Sequence, residues 1–281
     1  MNRKKLDPQK SPRHAFGVRL RTSREAAGLK QHQLGKLIGY SDTHISAVET
    51  AAKSPSLDFA RKCDEHLGLE ATLETMWWGL RASALLEGFP EHAAQEARAA
   101  RIMVFEANIV PGLLQTNGYA SALATASVRR GRITEAQAAE RLKVLANRQQ
   151  LLNRDKPPMI HAVLDESCIR RAIGGNAVMA EQLGHLAELT NRPNVIIQVS
   201  PFYLAEQAPF RVSMTLLGFT NRKVVGYSES LERGYVVRSP RTVTAWEDDY
   251  HRLQVEALSQ TASLEMIRKA REELSDHDSL S

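Results

Sequence analysis

The sequence predicts a mainly α-helical protein with an N-terminal domain of five short helices and a C-terminal α+β domain that contains a small sheet. Apolar residues recur at intervals of three and four over the first 80 residues, which is typical of helices with one buried face. From residue 159 onward, short runs rich in Val and Ile are bounded by Pro, Gly or Asn, as strands are. Positive charge is concentrated at the beginning: residues 1–53 hold 11 Lys or Arg and 4 Asp or Glu, whereas the 281-residue chain has a net charge of +5.

The N-terminal domain is predicted to occupy residues 15–80. Its first helix is indicated by apolar residues spaced four and seven apart, followed by a Gly that suits a helix C-cap. The fourth helix follows a turn at residues 53–56 and has apolar residues spaced three, three and four apart, and a fifth helix comes after it. The predicted core positions and the cap of these helices are Phe16, Leu20, Ala27, Gly28, Leu57, Ala60, Cys63, Leu67, Leu73, Trp77 and Leu80.

Residues 31–50, QHQLGKLIGYSDTHISAVET, predict the second and third helices and a tight turn between them. Gly39 breaks the apolar pattern, and Ser41 suits an N-cap whose side-chain oxygen accepts a hydrogen bond from an amide of the next turn. Two short helices joined by a glycine-containing turn form a helix-turn-helix, whose second helix enters the major groove of DNA. The inward-facing residues are predicted to be Leu34, Leu37 and Ile38, then Ile45 and Val48.

Residues 20–56, LRTSREAAGLKQHQLGKLIGYSDTHISAVETAAKSPS, resemble the XRE-type regulators, whose DNA-binding domain is similar to that of phage repressors such as lambda repressor. The resemblance implies a lambda-repressor-like fold and DNA binding. Members usually have a Gly soon after the Glu at position 49, whereas this chain has Thr50-Ala51-Ala52, so we expect a differently shaped loop. The matching positions are Leu20, Arg21, Arg24, Gly28, Leu29, Gln31, Leu34, Leu37, Gly39, Ser41, Ile45, Ser46, Glu49 and Pro55.

Candidate DNA contacts lie at the start of the second helix of this motif, the part that points into the groove. Thr43 suits a thymine methyl or a base edge, and His44 suits a guanine acceptor or a phosphate. Asp42 suits a cytosine amino group or simply the helix cap. Lys53, in the following loop, suits a phosphate. The complete predicted set is Gln31, Ser41, Asp42, Thr43, His44, Ser46, Ala47 and Lys53.

The resemblance assigns a role to Gln31, which contacts a phosphate, and to two further residues, Arg24 and Glu49, which form a structural salt bridge. Residues 1–14 are predicted to be a basic, solvated and flexible arm that contacts DNA phosphates when a complex forms. Cationic side chains near phosphates release counterions, so we expect affinity for DNA to fall steeply with salt. The cations of the arm are Arg3, Lys4, Lys5, Lys10 and Arg13.

The remainder of the chain is predicted to consist of a helical linker over residues 81–104 and a regulatory or interaction domain over residues 105–281. The linker belongs to an alanine-rich helical stretch that extends to residue 106. Beyond it, amphipathic helical patterns are interspersed with short runs rich in Val and Ile, which indicates an α/β or α+β domain. The predicted helices are 134–153, 165–173, 177–190 and 243–274, and the predicted strands are 159–164, 195–200, 213–219 and 224–228.

This part resembles the C-terminal domain of a large bacterial family of XRE regulators, which is antitoxin-like. The resemblance rests on FEANIVPGLLQTNGYA (105–120), RQQLLNR (148–154), AVLDESCIRRAIGG (162–175), VMAEQLGHL (178–186), VIIQVSPF (195–202) and VVGYSESL (224–231), in that order. Members are commonly encoded beside a short partner protein, which implies a small toxin-like partner. Three interpretations stay open for this domain: it dimerises or binds that partner, it primarily neutralises a toxin while DNA binding serves autoregulation, or it senses a small molecule near Tyr227.

Four residues of this part are candidates for a ligand or partner surface: Gln115, Tyr119, Tyr227 and Glu229. Gln115 and Tyr119 add polar groups beside an apolar stripe, which suits an interface and equally suits a buried helix start. Tyr227 and Glu229 alternate along a strand, which places both on one face. The carboxylates of residues 165–166, at a strand end, suit a catalytic or metal site, but capping of the next helix explains them more simply.

Several classes of protein are not expected. The chain lacks the G-x-S-x-G, G-x-x-x-x-G-K-[ST] and H-E-x-x-H motifs, its nine histidines are scattered and its two cysteines are far apart, so we expect no catalysis, metal, cofactor or disulfide. No run approaches the roughly 20 apolar residues of a membrane span, and residues 1–12 lack the apolar core of a signal peptide. We therefore expect a cytoplasmic, nucleoid-associated regulator of transcription that binds double-stranded operator DNA as a homodimer.

Overall fold

The computed structural model describes residues 7–8, 11–80, 85–207, 209–210, 212–231 and 233–278. The chain divides into two units, Met1–Leu85 and Leu86–Ser281. The predicted fold class is confirmed, because the first unit is helical and the second combines helices with a sheet.

The described part of the N-terminal unit contains the five predicted helices: α1 (Pro12–Ala26), α2 (Gln31–Ile38), α3 (Asp42–Glu49), α4 (Leu57–Leu67) and α5 (Thr72–Gly79). Glycines in the left-handed conformation follow the ends of α1, α2 and α4, where they relieve the strain of the helix stop. Serine side chains cap the beginnings of α1, α3 and α4. The core formed by these helices includes Phe16, Leu20, Leu34, Ile38, Ile45, Val48, Leu57, Phe59, Ala60, Cys63, Leu73 and Trp77.

The predicted flexible arm overlaps with α1. This helix begins at Pro12, with Ser11 as its N-cap, so residues 12–14 are helical and the prediction is wrong for them. A Pro in the first turn lacks only an amide that would have no helical partner there, so it suits this position. The cations at positions 3, 4, 5 and 10 of the predicted arm lie outside the described residues.

Two predicted core positions of the N-terminal unit are exposed. Ala27 is exposed because it lies just beyond the end of α1. Leu37 is 53% exposed, because the buried face of α2 is formed by Leu34 and Ile38, four residues apart.

α1 and α3 approach each other at backbone distance. A Cβ atom on Gly17 would lie 2.8 Å from the carbonyl oxygen of Val48, so any side chain at this position would push the helices apart. Gly17 therefore determines how closely α3 packs against α1.

The C-terminal unit contains a sheet with helices on both faces. Its strands are β1 (Arg101–Glu106), β2 (Met159–Asp165), β3 (Val195–Ser200), β4 (Met214–Gly218), β5 (Val224–Glu229) and β6 (Gly234–Val237). Its helices are α6 (Phe89–Glu96), α7 (Asn117–Arg129), α8 (Glu135–Gln149), α9 (Ser167–Arg170), α10 (Asn176–Leu189), α11 (Pro240–Glu256) and α12 (Gln260–Asp278). Short 3-10 turns occur at Gly112–Leu114, Gln150–Asn153 and Phe202–Gln207.

The strand order is β3-β2-β1-β4-β5-β6. β1 pairs in parallel with β2, which pairs in parallel with β3, whereas β4, β5 and β6 continue from the other side of β1 in antiparallel pairs. The ends of β1, β2, β3 and β5 and the beginning of β4 therefore lie along one edge of the sheet. We call this edge, marked by Glu106, Asp165, Ser200, Met214 and Glu229, the C-terminal edge.

Two hydrophobic cores lie on opposite faces of the sheet, because successive strand residues point to opposite sides. On one face, Ile102 and Val104 pack with residues of α10 and α12, such as Leu186 and Ile267. On the other face, Met103 and Phe105 belong to the cluster that contains the α11 residues Val243, Tyr250 and Leu253. β1 thus contributes to both cores.

The structure corrects the predicted linker. Residues 101–106 form the central strand β1 rather than the end of a helical stretch, and the C-terminal unit begins at Leu86 rather than at residue 105. Residues 81–84 of the predicted linker lie outside the described residues. A strand that is buried on both faces reads as a continuous apolar run, which periodicity does not distinguish from a helix.

Other C-terminal predictions are confirmed with adjusted bounds. The four predicted strands are β2 to β5, and the predicted helices at 134–153 and 177–190 correspond to α8 with its 3-10 extension and to α10. The predicted helix at 165–173 is reduced to α9, and the pattern at 243–274 is divided between α11 and α12. β6 was not predicted. Within the described part of the chain, every helix is too short or too polar to span a lipid bilayer.

Candidate nucleic-acid interface

Glu49, the last residue of α3, connects three helices. Its fully buried carboxylate accepts hydrogen bonds from Arg24 of α1, at 2.5 Å from Nε and 3.0 Å from Nη2. Gln31 of α2 donates its amide to the same carboxylate at 2.8 Å, and Nε of Arg21 lies 3.6 Å away. The hydrogen bond to Glu49 raises the pKa of the Arg24 guanidinium. The charged pair fixes the end of α3 against α1 and α2.

The first turn of α3 presents exposed polar side chains. Ser41 is the N-cap, and its Oγ accepts a hydrogen bond from the backbone N of His44 at 3.1 Å. Asp42 Oδ1 accepts a hydrogen bond from the backbone N of Thr43 at 2.8 Å. Ser41, Asp42 and Thr43 are all exposed, whereas Ile45 behind them is fully buried. The turn therefore faces solvent on a helix that is anchored in the core.

The other predicted contacts are less exposed or lie in the following loop. Ser46 and Ala47, one turn along α3, are half-buried, as is Gln31, whose amide is directed to Glu49. Lys53 is exposed. The contact of each of these residues with DNA stays a prediction.

His44 lies against α4. Its half-buried ring stacks on Phe59 with centroids 5.2 Å apart and meets the ring of Tyr40 edge-on at 4.7 Å. Its Nδ1 lies 3.3 Å from Nζ of Lys53. Burial and, second, the charge of Lys53 lower the pKa of His44. The structure thus connects His44 with Lys53 and with two aromatic side chains that the sequence did not associate with it.

The loop after α3 contains a residue in the left-handed conformation. Ala51 has a φ of 59°, a region that favours glycine. The amides of Ala52 and Lys53 both donate to the carbonyl oxygen of Ala47, at 2.9 and 3.0 Å. The chain therefore closes the end of α3 with Ala in a conformation that Gly adopts with less strain.

A buried carboxylate that the sequence analysis missed orders α5. Asp64 of α4 accepts hydrogen bonds from the backbone N of Leu73 at 2.8 Å and of Glu74 at 2.7 Å. These are amides of the first turn of α5, which has no side-chain cap at its N-cap residue, Ala71. Burial raises the pKa of Asp64. A local sequence signal was lacking because the capping carboxylate comes from the preceding helix.

Gln115 and Tyr119, two of the four C-terminal candidates, are buried, which corrects their assignment to a partner surface. Gln115 is 8% and Tyr119 0% exposed. The amide of Gln115 donates to the carbonyl oxygen of Val110 at 2.7 Å, and the Tyr119 hydroxyl accepts a hydrogen bond from the backbone N of Val110 at 3.2 Å. Both side chains satisfy backbone groups of the irregular segment after β1, so the structural alternative holds for them.

Two more glutamines hold the same segment. Fully buried Gln182 donates to the carbonyl oxygen of Leu114 at 2.8 Å and accepts a hydrogen bond from the backbone N of Thr116 at 2.7 Å. Gln149 donates to the carbonyl oxygens of Gly112 at 3.0 Å and Gln115 at 2.8 Å. The motif at residues 105–120 is thus a backbone segment whose polar groups are satisfied by side chains of α8 and α10.

Tyr227 and Glu229 lie on one face of β5, and the Tyr227 hydroxyl donates to Glu229 Oε1 at 2.7 Å. Tyr227 is only 4% exposed, because its ring stacks on His92 with centroids 3.9 Å apart. Nε2 of His92 lies 3.6 Å from Glu96, which accepts two hydrogen bonds of 2.8 Å from Arg148. Glu229 is exposed. Tyr227 therefore belongs to a packed ionic cluster and not to the predicted surface.

Three pKa values in this region are displaced by burial and charge. Burial raises the pKa of Tyr227, and the neighbouring Glu229 adds to the effect. For Glu96, burial acts upward, but the charge and hydrogen bonds of Arg148 lower the pKa to about 2. Burial raises the pKa of Glu106, at the end of β1, to about 7, although a hydrogen bond from the Ser213 hydroxyl opposes the rise.

The carboxylates at the end of β2 have structural roles. Asp165 Oδ1 accepts a hydrogen bond from the backbone N of Ser167 at 2.9 Å, at the start of α9. Glu166 pairs with Arg170 at 3.0 Å and accepts a hydrogen bond from the backbone N of Phe202 at 3.0 Å. Among the residues that the structure describes, no group of three or more His, Cys, Asp or Glu is arranged to hold a metal ion.

Two family models match the chain. Residues 15–75 match a helix-turn-helix domain, in agreement with the geometry of α2 and α3. Residues 89–269, more than half of the chain, match a domain of unknown function, DUF5753. No curated protein and no solved structure gives a match. The chain therefore belongs to the DUF5753 family and carries, ahead of that domain, a helix-turn-helix domain of the kind found in DNA-binding regulators.

Proposed function

We propose that this protein is a sequence-specific regulator of transcription that inserts α3 into the major groove of operator DNA. The observation that carries the proposal is the exposed first turn of α3, residues 41–43, on a helix whose other end is held by the buried pair of Arg24 and Glu49. A helix start that is fixed in place and carries exposed polar side chains is suited to reading base edges.

The charge distribution supports contact with the DNA backbone. Residues 1–53 carry a net charge of +7, against +5 for the whole chain, so the remaining 228 residues are slightly acidic. Lys and Arg at this end neutralise phosphates and release counterions, which makes affinity depend steeply on salt.

Replacing Thr43 by Ala tests the groove assignment. Fragments of genomic DNA that the wild-type protein retains are selected first, and each variant is then compared on a selected fragment and on random duplex. We expect Thr43→Ala to lose roughly 1–3 kcal/mol of preference for the selected fragment and to keep its affinity for random duplex, because a lost base contact affects specific binding alone.

Thr75→Ala is the matched control, since Thr75 is an exposed Thr on α5. This variant should keep the wild-type preference. A Thr43→Ala variant with an undiminished ratio of specific to random binding would show that the first turn of α3 does not read bases.

We further propose that the protein acts as a homodimer through its C-terminal unit, which places two recognition helices about 34 Å apart on the duplex. Large exposed apolar side chains that follow β3 and β5 and precede β4, near the C-terminal edge of the sheet, support this role, because burial of such side chains favours association. They are Phe202, Tyr203, Val212 and Leu231. In the antitoxin-type alternative, the C-terminal unit would bind a small partner protein, and the two proteins would form a mixed complex instead of a homodimer.

A further inference from the structure

Most polar groups near the His44 ring form hydrogen bonds or ion pairs with residues other than His44. The Tyr40 hydroxyl donates to Asp58 Oδ2 at 3.0 Å, and Asp58 also pairs with Lys62 at 3.0 Å. Asp42, in the same turn as His44, accepts its hydrogen bond from the amide of Thr43. The charged group within hydrogen-bond distance of the ring is the ammonium of Lys53, 3.3 Å from Nδ1.

This contact determines the tautomer of His44. A lysine ammonium only donates hydrogen bonds, so Nδ1 must accept, and the proton of the neutral ring lies on Nε2. Nε2 is buried and has no hydrogen-bond partner among the described residues. Neither nitrogen is therefore directed at a guanine or a phosphate, which is the role predicted for His44 from the sequence.

Lys53 is held at both of its ends. Its backbone N donates to the carbonyl oxygen of Ala47 at 3.0 Å, which fixes the residue at the end of α3. Its side chain then runs back along α3 to His44, three residues before Ala47. A cation that is already oriented loses less side-chain entropy when it binds a phosphate than a freely rotating one.

We propose that His44 is a positioning residue for Lys53: the neutral ring holds the ammonium along α3 for contact with a DNA phosphate, and protonation of the ring expels it. This inference rests on the DNA-binding function proposed above. A protonated Nδ1 is a donor with positive charge, so the hydrogen bond is lost and the two cations repel each other. Affinity for DNA therefore falls on acidification.

The sign of this effect separates two roles for His44. A histidine that itself contacts a phosphate or guanine binds more tightly when it is protonated, since its new charge favours the DNA. Burial and, second, the charge of Lys53 lower the pKa of His44 from 6.5, so the ring is neutral at neutral pH and takes up its proton only on acidification.

The test compares the affinity of the full-length protein for a synthetic mixed-sequence duplex at about pH 7.5 and at a pH below the midpoint of the His44 NMR titration, at constant ionic strength. The loss of affinity on acidification is compared between the wild type and His44→Asn. Asn offers an acceptor oxygen near the place of Nδ1 but does not titrate. We expect the wild type to lose up to roughly tenfold more affinity than His44→Asn, which is the contribution of one phosphate contact near 0.1 M salt.

Lys53→Met identifies the group through which His44 acts. This variant should bind more weakly than the wild type at about pH 7.5 and should differ from it less at the lower pH, where protonated His44 has already displaced the ammonium. Adding His44→Asn to Lys53→Met should change its pH profile no further. In the absence of DNA, an NMR titration should show a higher pKa for His44 in Lys53→Met than in the wild type, because a neighbouring cation has been removed.

Three results would overturn the inference: a wild-type affinity that rises relative to His44→Asn on acidification, identical pH profiles for the two proteins, or an unchanged His44 pKa in Lys53→Met. A protein that shows no salt-sensitive binding to any duplex at about pH 7.5 would instead refute the proposed function. The NMR titration would still decide whether His44 and Lys53 interact.

Discussion

At Glu49, donors from α1 and α2 converge on one fully buried carboxylate at the end of α3. The arrangement matters because a buried charge is tolerated only with partners and becomes costly when one partner is removed. Arg24 meets this carboxylate through two parallel hydrogen bonds, a geometry that Lys does not reproduce. The position of α3, the proposed recognition helix, thus depends on a residue that has no predicted contact with DNA.

Arg24→Ala should lower the free energy of unfolding of the N-terminal unit by about 3–5 kcal/mol, because it leaves Glu49 buried without its main partner. Thermal or urea unfolding measures this change. Arg19→Ala removes an exposed Arg from the same helix and should change stability by less than about 0.5 kcal/mol. Unchanged unfolding of Arg24→Ala together with lost DNA binding would make Arg24 a DNA contact instead.

Glu106 should make the C-terminal unit less stable at higher pH. Its pKa is about 7 in the folded protein and 4.5 without the fold, so the folded state binds the proton more tightly. This contribution to stability is fully present below about pH 4.5 and is lost as the pH rises to about 7. Glu106→Gln does not titrate, so its unfolding free energy relative to the wild type should increase across this range.

Glu256→Gln, the same substitution at an exposed position, is the control for Glu106→Gln. If the difference in unfolding free energy between Glu106→Gln and the wild type did not change with pH, Glu106 would keep an ordinary pKa in the folded protein.

At the scale of elements, α3 is placed by its two neighbours and by the loop that follows it. Gly17 lets α1 approach the backbone of α3 at Val48, and the buried pair at Glu49 holds the last turn. The loop returns Lys53 to α3 through Ala51, which adopts the left-handed conformation without being Gly. In the proposed complex α3 faces DNA. It is fixed by its contacts with α1 and α2, and the loop that follows it is strained at Ala51.

Ala51→Gly should stabilise the N-terminal unit by about 0.5–1 kcal/mol. The left-handed conformation costs a residue with a Cβ roughly 1–2 kcal/mol, and the greater freedom of Gly in the unfolded chain offsets part of the gain. Neighbouring Ala52 does not lie in the left-handed region, so Ala52→Gly should destabilise by about 0.5–1 kcal/mol. Chemical denaturation of both variants measures the contrast, and equal effects would contradict a left-handed Ala51.

At the scale of the whole molecule, the two units have different proposed roles: the helix-turn-helix unit contacts DNA, and the DUF5753 unit dimerises. The first holds the basic segment and the exposed turn of α3, and the second carries a sheet whose C-terminal edge exposes large apolar side chains. Since half-sites are read by two recognition helices, the second unit matters for DNA binding if it joins two copies.

The full-length protein should therefore sediment as a dimer and bind selected DNA more tightly than the fragment 1–85, which should fold but bind weakly as a monomer. The difference arises because two linked recognition helices bind with an effective concentration that a single helix lacks. Sedimentation and anisotropy on the same DNA measure both quantities. A monomeric full-length protein, or a fragment that binds equally well, would refute dimerisation through the C-terminal unit.

Local patterns in the sequence were sufficient for features that depend on near neighbours. The helix periodicity, the glycine stop at Gly39 and the cap at Ser41 involve residues within one or two turns of each other, so their spacing alone predicts them. Four strands were predicted for the same reason. β1 was taken for part of a helix, because its run of apolar residues records burial on both faces and contains no period.

The sequence alone predicted the two-part architecture, the helix-turn-helix and the exposed start of its second helix, because local spacing and capping chemistry specify them. The tertiary structure decided which polar side chains are buried and what they touch: Tyr119 and Tyr227 turned out to be packed inside the C-terminal unit, and His44 turned out to meet Lys53. The contact of Tyr227 with His92 joins segments far apart in the chain, and the contact of His44 with Lys53 joins α3 to the loop that follows it. Neither contact follows the period of a helix or strand, so the spacing of residues does not predict it.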